Sequence, residues 1–354
     1  MAAKYLNLAA ELRQLCVQLH RQGERKFPSE PELCRQTGYS RETVRRALAL
    51  LEQEGLLTRE RGSGTYLADA LAGRSGRIAV VVCCEGDYLY PQLLRDIESV
   101  CRPRGFRTEA YFTENRTERE REILTGLLAD PPAGILMEGA KTALPSPNLD
   151  LLTRLGKLGI PLVWLHAPHG VPSGSPCVQD DNAGGGRLLT RYLLDKGHRE
   201  IAGLFKYDDR QGPERYEGCV TELAQAGLSP ADAHVRWYGT EERDAILKGR
   251  LDWLHRFVHT GLGSCSAVVC YNDEIAYPLI QCLLAAGYRV PEDVAVVSFD
   301  NSHYCRLSPV SITSLGHERH QMGSSAALTL LTLMRGRQAH SSRLPWMLYE
   351  RGSG

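Results

Sequence analysis

Along the first 70 residues, apolar positions recur every three or four residues, which is the spacing of one face of a helix. The first such face predicts a helix over residues 5–22 and consists of Tyr5, Leu8, Leu12, Leu15 and Leu19. A second helix is predicted to begin in the segment FPSEPEL, where Ser29 and Glu32 have the spacing of a capping box. The turn GYS separates this helix from a third one.

The third helix is predicted to extend from Arg41 to Gln53, with Ser40 as its N-cap. One face is apolar and consists of Val44, Ala47, Leu48 and Leu51, whereas the opposite face carries Glu42, Arg45, Arg46 and Ala49. Gly55 ends the helix, and the segment LLTRERGSGTYL then predicts two short strands around a glycine-rich tip. Helix, turn, helix and β-wing in this order resemble the winged helix-turn-helix of GntR-type bacterial regulators.

That resemblance implies a partner, double-stranded operator DNA, whose phosphates and guanines the arginines of the third helix contact. We expect Lys4 and Tyr5 to form a short arm ahead of the first helix, and the wing glycines to let the wing approach the minor groove. The expected DNA-contacting residues are Lys4, Tyr5, Ser29, Glu30, Ser40, Arg41, Thr43, Arg45, Arg46, Arg61, Gly62 and Gly64. The alternative is a small helical cap on an enzyme, whose arginines form an ordinary solvated face.

The pattern changes at Arg77, where short apolar, β-branched runs begin to alternate with amphipathic stretches. The run RIAVVVC precedes PQLLRDIESVCR, for example, and SAVVCY precedes DEIAYPLIQCLLAAG. This alternation predicts βαβ units on parallel sheets. Because the stretch is long for one sheet, we expect two similar α/β lobes with a ligand cleft between them.

These patterns divide the chain into three predicted parts: a winged helix-turn-helix domain over residues 1–68, a small polar linker over 69–76, and a two-lobed body over 77–354. The approximate lobes are 77–178 with 312–335, and 179–311 with 336–354. The predicted fold class is therefore a mainly α head with a β-wing, followed by an α/β domain with parallel sheets.

Polar side chains follow most of the predicted body strands, at the edge where ligands bind in such folds. They are Asp87, Tyr88, Tyr90, Glu138, Lys141, Asp180, Asp181, Asn182, Asp208, Asp209, Asn272, Asp273, Asp300 and Asn301. Carboxylates, amides and tyrosines suit the hydroxyl groups and the C–H face of a sugar. Taken singly, each Asp or Asn could instead cap the helix that follows it.

Four body segments resemble the LacI/GalR family of sugar-responsive repressors, whose fold is akin to the periplasmic binding proteins: NAGGGRLLTRYLLDKGHREIA, RYEG, CYNDEIA and VPEDVAVVSFDNS. Joined to a GntR-type head, such a body is similar to the L-arabinose repressors of Gram-positive bacteria. The resemblance implies that Arg215, Asn272 and Asp300 contact the sugar. Tyr88, Tyr90, Glu138, Lys141 and His166 complete the expected ligand set.

Two positions depart from the family pattern. Ser298 stands where the family usually has glycine, and His166 stands where many members have Asp or Asn. A regulator of a different sugar therefore remains an alternative. The resemblance otherwise implies a homodimeric repressor that a small sugar effector, L-arabinose or a related sugar, releases from its operator.

Composition narrows the function classes further. The net charge is zero, so no global field favours nucleic acid, and the eleven cysteines show no CxxC spacing. His255, His259, Cys265 and Cys270 come nearest to a metal-site pattern, but no metal or other cofactor is expected. No P-loop, GxSxG or GxGxxG motif is present. An enzyme on the α/β body and a sugar-transport protein remain as alternatives. Without an apparent signal peptide or membrane span, a cytoplasmic protein is expected.

Overall fold

A computed structural model of the chain describes residues 2–21, 24–53, 56–60, 63–67, 76–86, 88–169, 174–229, 232–318 and 321–354. These residues form a helical head with a small wing and a body built on two six-stranded sheets. Some positions discussed above lie outside the described residues: Gly55, Arg61, Gly62, Asp87 and residues 69–75 of the predicted linker.

The head contains the predicted helix, turn, helix and wing. Its elements are α1 (Ala2–Arg21), α2 (Glu30–Thr37), α3 (Arg41–Gln53), β1 (Leu57–Glu60) and β2 (Gly64–Leu67), and the two strands pair antiparallel. The predicted apolar face of α3 is buried, and it packs with Leu8 and Leu12 of α1 in a single core. The prediction of this fold class is confirmed.

The expected N-terminal arm is wrong. Helix α1 begins at Ala2, so Lys4 and Tyr5 lie within its first turns rather than ahead of it. The segment AAKYLNLAAEL is rich in alanine and leucine, which are strong helix formers and extend the helix toward the N-terminus.

Both predicted N-caps of the head are present. The carboxylate of Glu32 accepts hydrogen bonds from the backbone nitrogen and the hydroxyl of Ser29, at 2.8 and 2.6 Å. At α3, the backbone nitrogen of Thr43 donates to Ser40 Oγ at 3.3 Å. These contacts satisfy backbone donors at the helix starts, which stabilises the first turn of each helix.

The body alternates strands and helices. Its first half contains β3 (Arg77–Val82), α4 (Tyr90–Cys101), β4 (Arg107–Phe112), α5 (Thr117–Ala129), β5 (Gly134–Met137), α6 (Leu149–Lys157), β6 (Leu162–Leu165) and β7 (Cys177–Asp180). The second half contains α7 (Asn182–Asp195), β8 (Ile201–Lys206), α8 (Gln211–Gln225), β9 (Val235–Tyr238), α9 (Thr240–Leu247), α10 (Asp252–Arg256), β10 (Ala267–Cys270), α11 (Asp273–Ala285), β11 (Ala295–Phe299), α12 (Tyr304–Leu307), β12 (Thr313–Gly316), α13 (Gln321–Met334), β13 (Ser342–Leu344) and β14 (Met347–Tyr349).

Each lobe has one six-stranded sheet. The order is β13-β7-β6-β5-β3-β4 in the first lobe and β14-β12-β11-β10-β8-β9 in the second, with parallel pairing everywhere except between β12 and β14. The chain therefore crosses between the lobes three times: after Asp180, after Gly316 and after Leu344.

The approximate lobe boundaries taken from the sequence need two corrections. Strand β12 pairs with β11 in the second lobe, although residues 312–335 were assigned to the first. Strand β13 pairs with β7 in the first lobe, although residues 336–354 were assigned to the second. Short strands such as TSLG and SRL carry no apolar run that would reveal their partner.

Each sheet is covered on both faces, as strand β3 illustrates. Successive side chains of a strand point to opposite faces. Ile78, Val80 and Val82 therefore face the core beneath α4 and α13, whereas Ala79 and Val81 face the core beneath α5 and α6. Such two-sided burial explains why the strand reads as a continuous apolar run.

Helices α7 and α8 touch through glycines. A Cβ atom on Gly186 would collide with the carbonyl oxygen of Arg215, and one on Gly218 would collide with the carbonyl oxygen of Ala183. Gly186 and Gly218 thus permit close packing of the two helices. This contact also fixes the backbone of Arg215.

We expect Gly186→Ala to lower the free energy of unfolding by about 1–3 kcal/mol, because backbone atoms must move to admit the methyl group. Gly126 is the matched control, since it is exposed in α5 and its Cβ would meet nothing within 4 Å. Gly126→Ala should raise the free energy of unfolding by about 0.5–1 kcal/mol. Denaturant titration of both variants tests this, and equal effects would contradict the close helix contact.

Candidate functional site

A cavity of about 260 Å³ lies between the lobes, at the carboxyl ends of the parallel strands. The sequence placed the ligand site at this edge. All expected ligand residues except Lys141 line the cavity, namely Tyr88, Tyr90, Glu138, His166, Arg215, Asn272 and Asp300. The two lobes both contribute, so a ligand here would contact both.

Lys141 is not among the residues that line the cavity. The chain turns after β5, where Lys141 has a left-handed backbone (φ 50°), and the ammonium lies 3.6 Å from the carboxylate of Glu241 in the second lobe. Its place in the ligand set was therefore wrong, and the contact it makes is an ion pair between the lobes.

Arg215 is the most enclosed cation of the cavity, with 3% of its side chain exposed. Its guanidinium donates to Asn182 Oδ1 at 3.1 Å, to Asp300 Oδ1 at 3.3 Å and to the carbonyl oxygen of Tyr271. The guanidinium carbon lies 4.2 Å from the centroid of the Phe299 ring. Burial favours the neutral form, but the charge of Asp300 outweighs it and raises the pKa of Arg215. Arg215 is thus a fixed cation that orients Asp300.

Asp300 joins the two lobes. It follows β11 with a left-handed backbone (φ 94°), which is strained for a residue other than glycine and is common at ligand sites. Arg215 of the second lobe donates to one carboxylate oxygen, and Tyr88 Oη of the first lobe donates to the other at 2.7 Å. Burial, together with Asp300, raises the pKa of Tyr88 well above its ordinary value.

Glu138 lies on the first-lobe wall of the cavity. Its carboxylate accepts a hydrogen bond from the backbone nitrogen of Cys83 at 3.0 Å and one from Tyr90 Oη at 3.3 Å. Burial raises the pKa of Glu138. The sequence predicted Glu138 and Tyr90 here, and the structure brings them together.

His166 and His317 share one carboxylate at the hinge. His166 Nδ1 lies 3.1 Å from Asp180 Oδ2, and His317 Nε2 lies 2.7 Å from Asp180 Oδ1. His317 Nδ1 also lies 2.8 Å from the carbonyl oxygen of Pro345. Both ring nitrogens of His317 therefore face acceptors. Burial favours the neutral ring, but the hydrogen bond with Asp180 outweighs it and raises the pKa of His317. Asp180, His317 and Pro345 stand at the three crossings, so this cluster ties them together.

The charges of this cluster predict a pH dependence of stability. Burial favours neutral His166, but the hydrogen bond with Asp180 and the charge of Glu138 raise its pKa to about 9, from 6.5. A raised pKa means that protonation stabilises the fold below about pH 6.5 and that this contribution is lost as the pH rises through 9. The free energy of unfolding should therefore fall over that interval.

We expect the free energy of unfolding of His166→Gln to decrease less with rising pH than that of the wild type, because glutamine can donate to Asp180 but does not titrate. Chemical denaturation at a series of pH values, in reducing buffer, measures the slope. His340→Gln is the control, since His340 is exposed, and it should keep the wild-type slope. Identical slopes for wild type and His166→Gln would show that His166 is not the titrating group.

A second polar cluster holds the lobes together on the other side of the cavity. Lys206 Nζ donates to Asp208 Oδ1 at 2.5 Å and to Asp209 Oδ2 at 2.7 Å. Asn115 of the first lobe donates to Asp209 Oδ1 at 2.9 Å and to Thr240 Oγ1 at 2.8 Å. Asp208 and Asp209 thus neutralise a buried lysine, and Asp209 also anchors Asn115 of the opposite lobe.

The capping alternative holds for some strand-end residues and fails for others. Asp181 Oδ1 accepts from the backbone nitrogen of Gly184 at 3.3 Å, so it caps α7. Asn272 makes no such bond, and its Oδ1 is buried without a hydrogen-bond partner at the cavity. Ser298 lies below the cavity, where its hydroxyl donates to buried Asp273.

Sequence reasoning missed several cavity residues, among them Cys83, Asn115, Lys206, Arg243, Glu274, His317 and Trp346. Lys206 could have been noticed, because it ends the run IAGLFK and only Tyr207 separates it from Asp208 and Asp209. Nothing in the local sequence pointed to His317 or Trp346, because their position depends on how β12, β13 and β14 pair.

The head presents an arginine-rich surface. The side chains of Arg41, Arg45 and Arg46 are 72%, 61% and 62% exposed, which confirms the predicted outward face of α3. Glu30 at the start of α2 accepts from Arg45 Nε at 3.0 Å, so α2 steadies an arginine of α3.

The structure also describes most of the other residues expected to contact DNA. Ser29, Ser40 and Thr43 use their hydroxyls in the caps, and Ser40 Oγ lies 2.8 Å from Thr43 Oγ1. Gly64 begins β2 with φ 129°, which favours glycine. Lys4 is exposed on α1.

The described residues contain no helix long and apolar enough to cross a membrane. In that part of the chain, no group of three or more His, Cys, Asp or Glu side chains is placed to hold a metal ion either. The eleven cysteines all lie in the described residues, and no disulfide bond joins any of them.

Two family models match the chain. Residues 4–67 match the gntR family of bacterial regulatory proteins, and residues 190–354 match the periplasmic binding protein-like domain. Among solved structures, the transcriptional regulator CelR–cellobiose complex has a TM-score of 0.67 at 24% identity, over 95% of this chain and 94% of that one. A periplasmic binding protein/LacI transcriptional regulator from Alkaliphilus metalliredigens, complexed with D-xylulofuranose, has a TM-score of 0.66 at 19% identity. The match covers 79% of this chain and 99% of that one. Head and body together define a bacterial transcription regulator.

Relatives narrow this class. An arabinose metabolism transcriptional repressor of Geobacillus stearothermophilus is 33% identical over 338 residues, which cover 94% of this chain and 92% of the relative. Another, of Halalkalibacterium halodurans, is 33% identical over 314 residues, which cover 87% of this chain and 83% of the relative. The chain belongs to the family of these arabinose metabolism transcriptional repressors. Its role is therefore that of a DNA-binding repressor rather than an enzyme.

Proposed function

We propose that the protein binds its operator as a cytoplasmic homodimer and that a neutral monosaccharide, L-arabinose, occupies the cavity and releases the DNA. The observation that carries this proposal is the Arg215–Asp300–Tyr88 chain of hydrogen bonds across the cavity. The names of the two arabinose metabolism repressors support arabinose as the sugar.

The charges at the cavity favour a neutral ligand. Among the described residues that line it, Lys206, Arg215 and Arg243 all have a carboxylate partner, and both histidines share Asp180. A phosphorylated or carboxylated ligand would need an unpaired cation to offset its desolvation. No unpaired cation lines this part of the described structure, so uncharged hydroxyl groups fit better.

Size and hydrogen bonding agree with a monosaccharide. The volume of about 260 Å³ is below the range of roughly 300–1,000 Å³ that drug-sized ligands occupy. Three buried polar atoms of lining residues have no hydrogen-bond partner: Asn272 Oδ1, Gln321 Oε1 and Trp346 Nε1. A hydroxyl can both donate and accept, so a sugar can satisfy these two acceptors and one donor.

Sugar binding releases the operator DNA if the sugar binds one arrangement of the lobes more tightly than the other. Tyr88 and Asp300 meet across the cleft, as do Asn115 and Asp209. A ligand in the cavity beside these pairs contacts both lobes only while the lobes are closed. In the proposed dimer, closure changes how the two heads are spaced and thereby lowers operator affinity.

Isothermal titration of the full-length protein with L-arabinose, D-xylose, D-ribose and L-arabinose 5-phosphate tests the ligand class. We expect binding to L-arabinose and none to the phosphate. Binding of the phosphate alone would overturn the neutral-ligand proposal, whereas binding of another free pentose alone would change only the identity of the sugar.

A further inference from the structure

Cys83 and Cys84 are adjacent thiols in the wall of the cavity, directly after β3. Their sulfur atoms are 3.1 Å apart. A disulfide bond is about 2.0 Å long, so the two atoms are close to bonding distance without any movement of the lobes. Neither residue was singled out by the sequence, because CC is not a recognised thiol motif.

The surroundings of this pair differ from those of the other cysteines. Eight of the eleven cysteines are buried, and only Cys34 shares the partial exposure of Cys83 and Cys84. Burial raises the pKa of Cys101 to about 11 and that of Cys219 to about 12, so both remain unreactive thiols.

Within the pair, the two thiols have different tendencies to ionise. The hydrogen bond between them lowers the pKa of Cys84, and nearby Arg243 lowers it further. The same hydrogen bond and burial raise the pKa of Cys83. Cys84 is therefore the more readily ionised of the two thiols and the one assigned to the first attack, and Cys83 is the thiol that resolves the product.

We propose that a peroxide oxidises Cys83 and Cys84 to a disulfide and that this modification weakens binding of the sugar effector. The Cys84 thiolate attacks one peroxide oxygen, the O–O bond breaks, hydroxide leaves, and a sulfenic acid forms. The Cys83 sulfur then attacks the Cys84 sulfur, and the sulfenic hydroxyl leaves as water with the Cys83 proton. Overall, two thiols lose two electrons and two protons, and hydrogen peroxide becomes two waters.

The coupling to the effector rests on the proposed function and on the position of the pair. Adjacent Cα atoms are about 3.8 Å apart, whereas disulfides usually join Cα atoms at roughly 4.4–6.8 Å, so ring closure must distort the backbone. The backbone nitrogen of Cys83 holds Glu138, and the segment that follows carries Tyr88 and Tyr90. The distortion therefore moves groups that face the sugar. A strained disulfide is also easily reduced, which makes the change reversible.

Peptide mass detects the disulfide without reference to the sugar. Trypsin releases residues 78–95 as one peptide that contains Cys83, Cys84 and no other cysteine. After peroxide treatment of the full-length protein, we expect this peptide to lose the mass of two hydrogen atoms and to regain it with dithiothreitol. A peptide that stays reduced, or that gains oxygen without this loss, would overturn the proposal.

Titration calorimetry with L-arabinose then tests the coupling. We expect peroxide to weaken binding about tenfold, the loss of roughly one hydrogen bond to a charged group, and dithiothreitol to restore it. Neither Cys83→Ser nor Cys84→Ser should form the disulfide. Cys84→Ser, which lacks the attacking thiol, should also keep its own starting affinity after peroxide, whereas Cys34→Ser should stay sensitive. Unchanged affinity in protein whose peptide shows the disulfide would refute the coupling. If the reduced protein binds no sugar, the proposed function fails, and the peptide mass still decides whether the disulfide forms.

Discussion

Replacing Asp300 by asparagine should weaken the response to L-arabinose about ten- to a hundred-fold, because a hydrogen bond to a charged group contributes about 1.5–3 kcal/mol. Operator binding should remain, since Asp300 lies in the body and asparagine can still accept from Arg215 or Tyr88. The measurement is a titration of the protein–operator complex with the sugar, followed by fluorescence anisotropy of labelled DNA.

Asp150→Asn is the matched control for this change. Asp150 forms an exposed ion pair with Arg121 at 3.0 Å, neither residue lines the cavity, and such pairs contribute little. Its sugar response should equal that of the wild type. If Asp300→Asn releases the operator at the wild-type sugar concentration, Asp300 is a structural residue and not a ligand contact.

Replacing Arg45 by alanine should weaken operator binding by about 1–3 kcal/mol and relax the sequence preference at one position, as expected for an arginine that contacts a base edge. Arg45 projects from the exposed face of α3, and Glu30 already holds its guanidinium. Sugar affinity should not change. Anisotropy with operator and with random-sequence DNA measures both effects.

Arg102→Ala removes the same charge from the body, where Arg102 is 81% exposed. It should leave operator affinity unchanged. An equal loss of affinity for operator and random-sequence DNA in Arg45→Ala would assign Arg45 to a phosphate contact, and no loss would exclude it from the DNA-contacting surface.

The sequence was most informative where a local pattern determines the structure. The apolar face of α3 and the buried strands followed from periodicity, and Asp300 could be placed at the cleft because it directly follows the run VAVVSF. Its positive φ and its bond to Tyr88, more than 200 positions earlier in the chain, could not be predicted from that run.

The remaining features depend on contacts between distant segments. Trp346 and His317 stack at the hinge with ring centroids 4.0 Å apart, but each follows a strand of only three or four residues. The pairing of those strands decides which lobe they join, and it is set by the whole sheet rather than by their own residues. Lys141 was misplaced for a similar reason, because the turn after β5 directs it to Glu241.

The central claim is that sugar and operator oppose each other's binding, and reciprocity tests it most directly. An operator duplex is first selected from a random-sequence pool with the full-length protein. The factor by which saturating L-arabinose weakens operator binding is then compared with the factor by which saturating operator weakens L-arabinose binding. We predict two equal factors, both well above one, because coupling between two sites is a single free energy. L-Arabinose that binds equally well to the free protein and to its operator complex would contradict the claim.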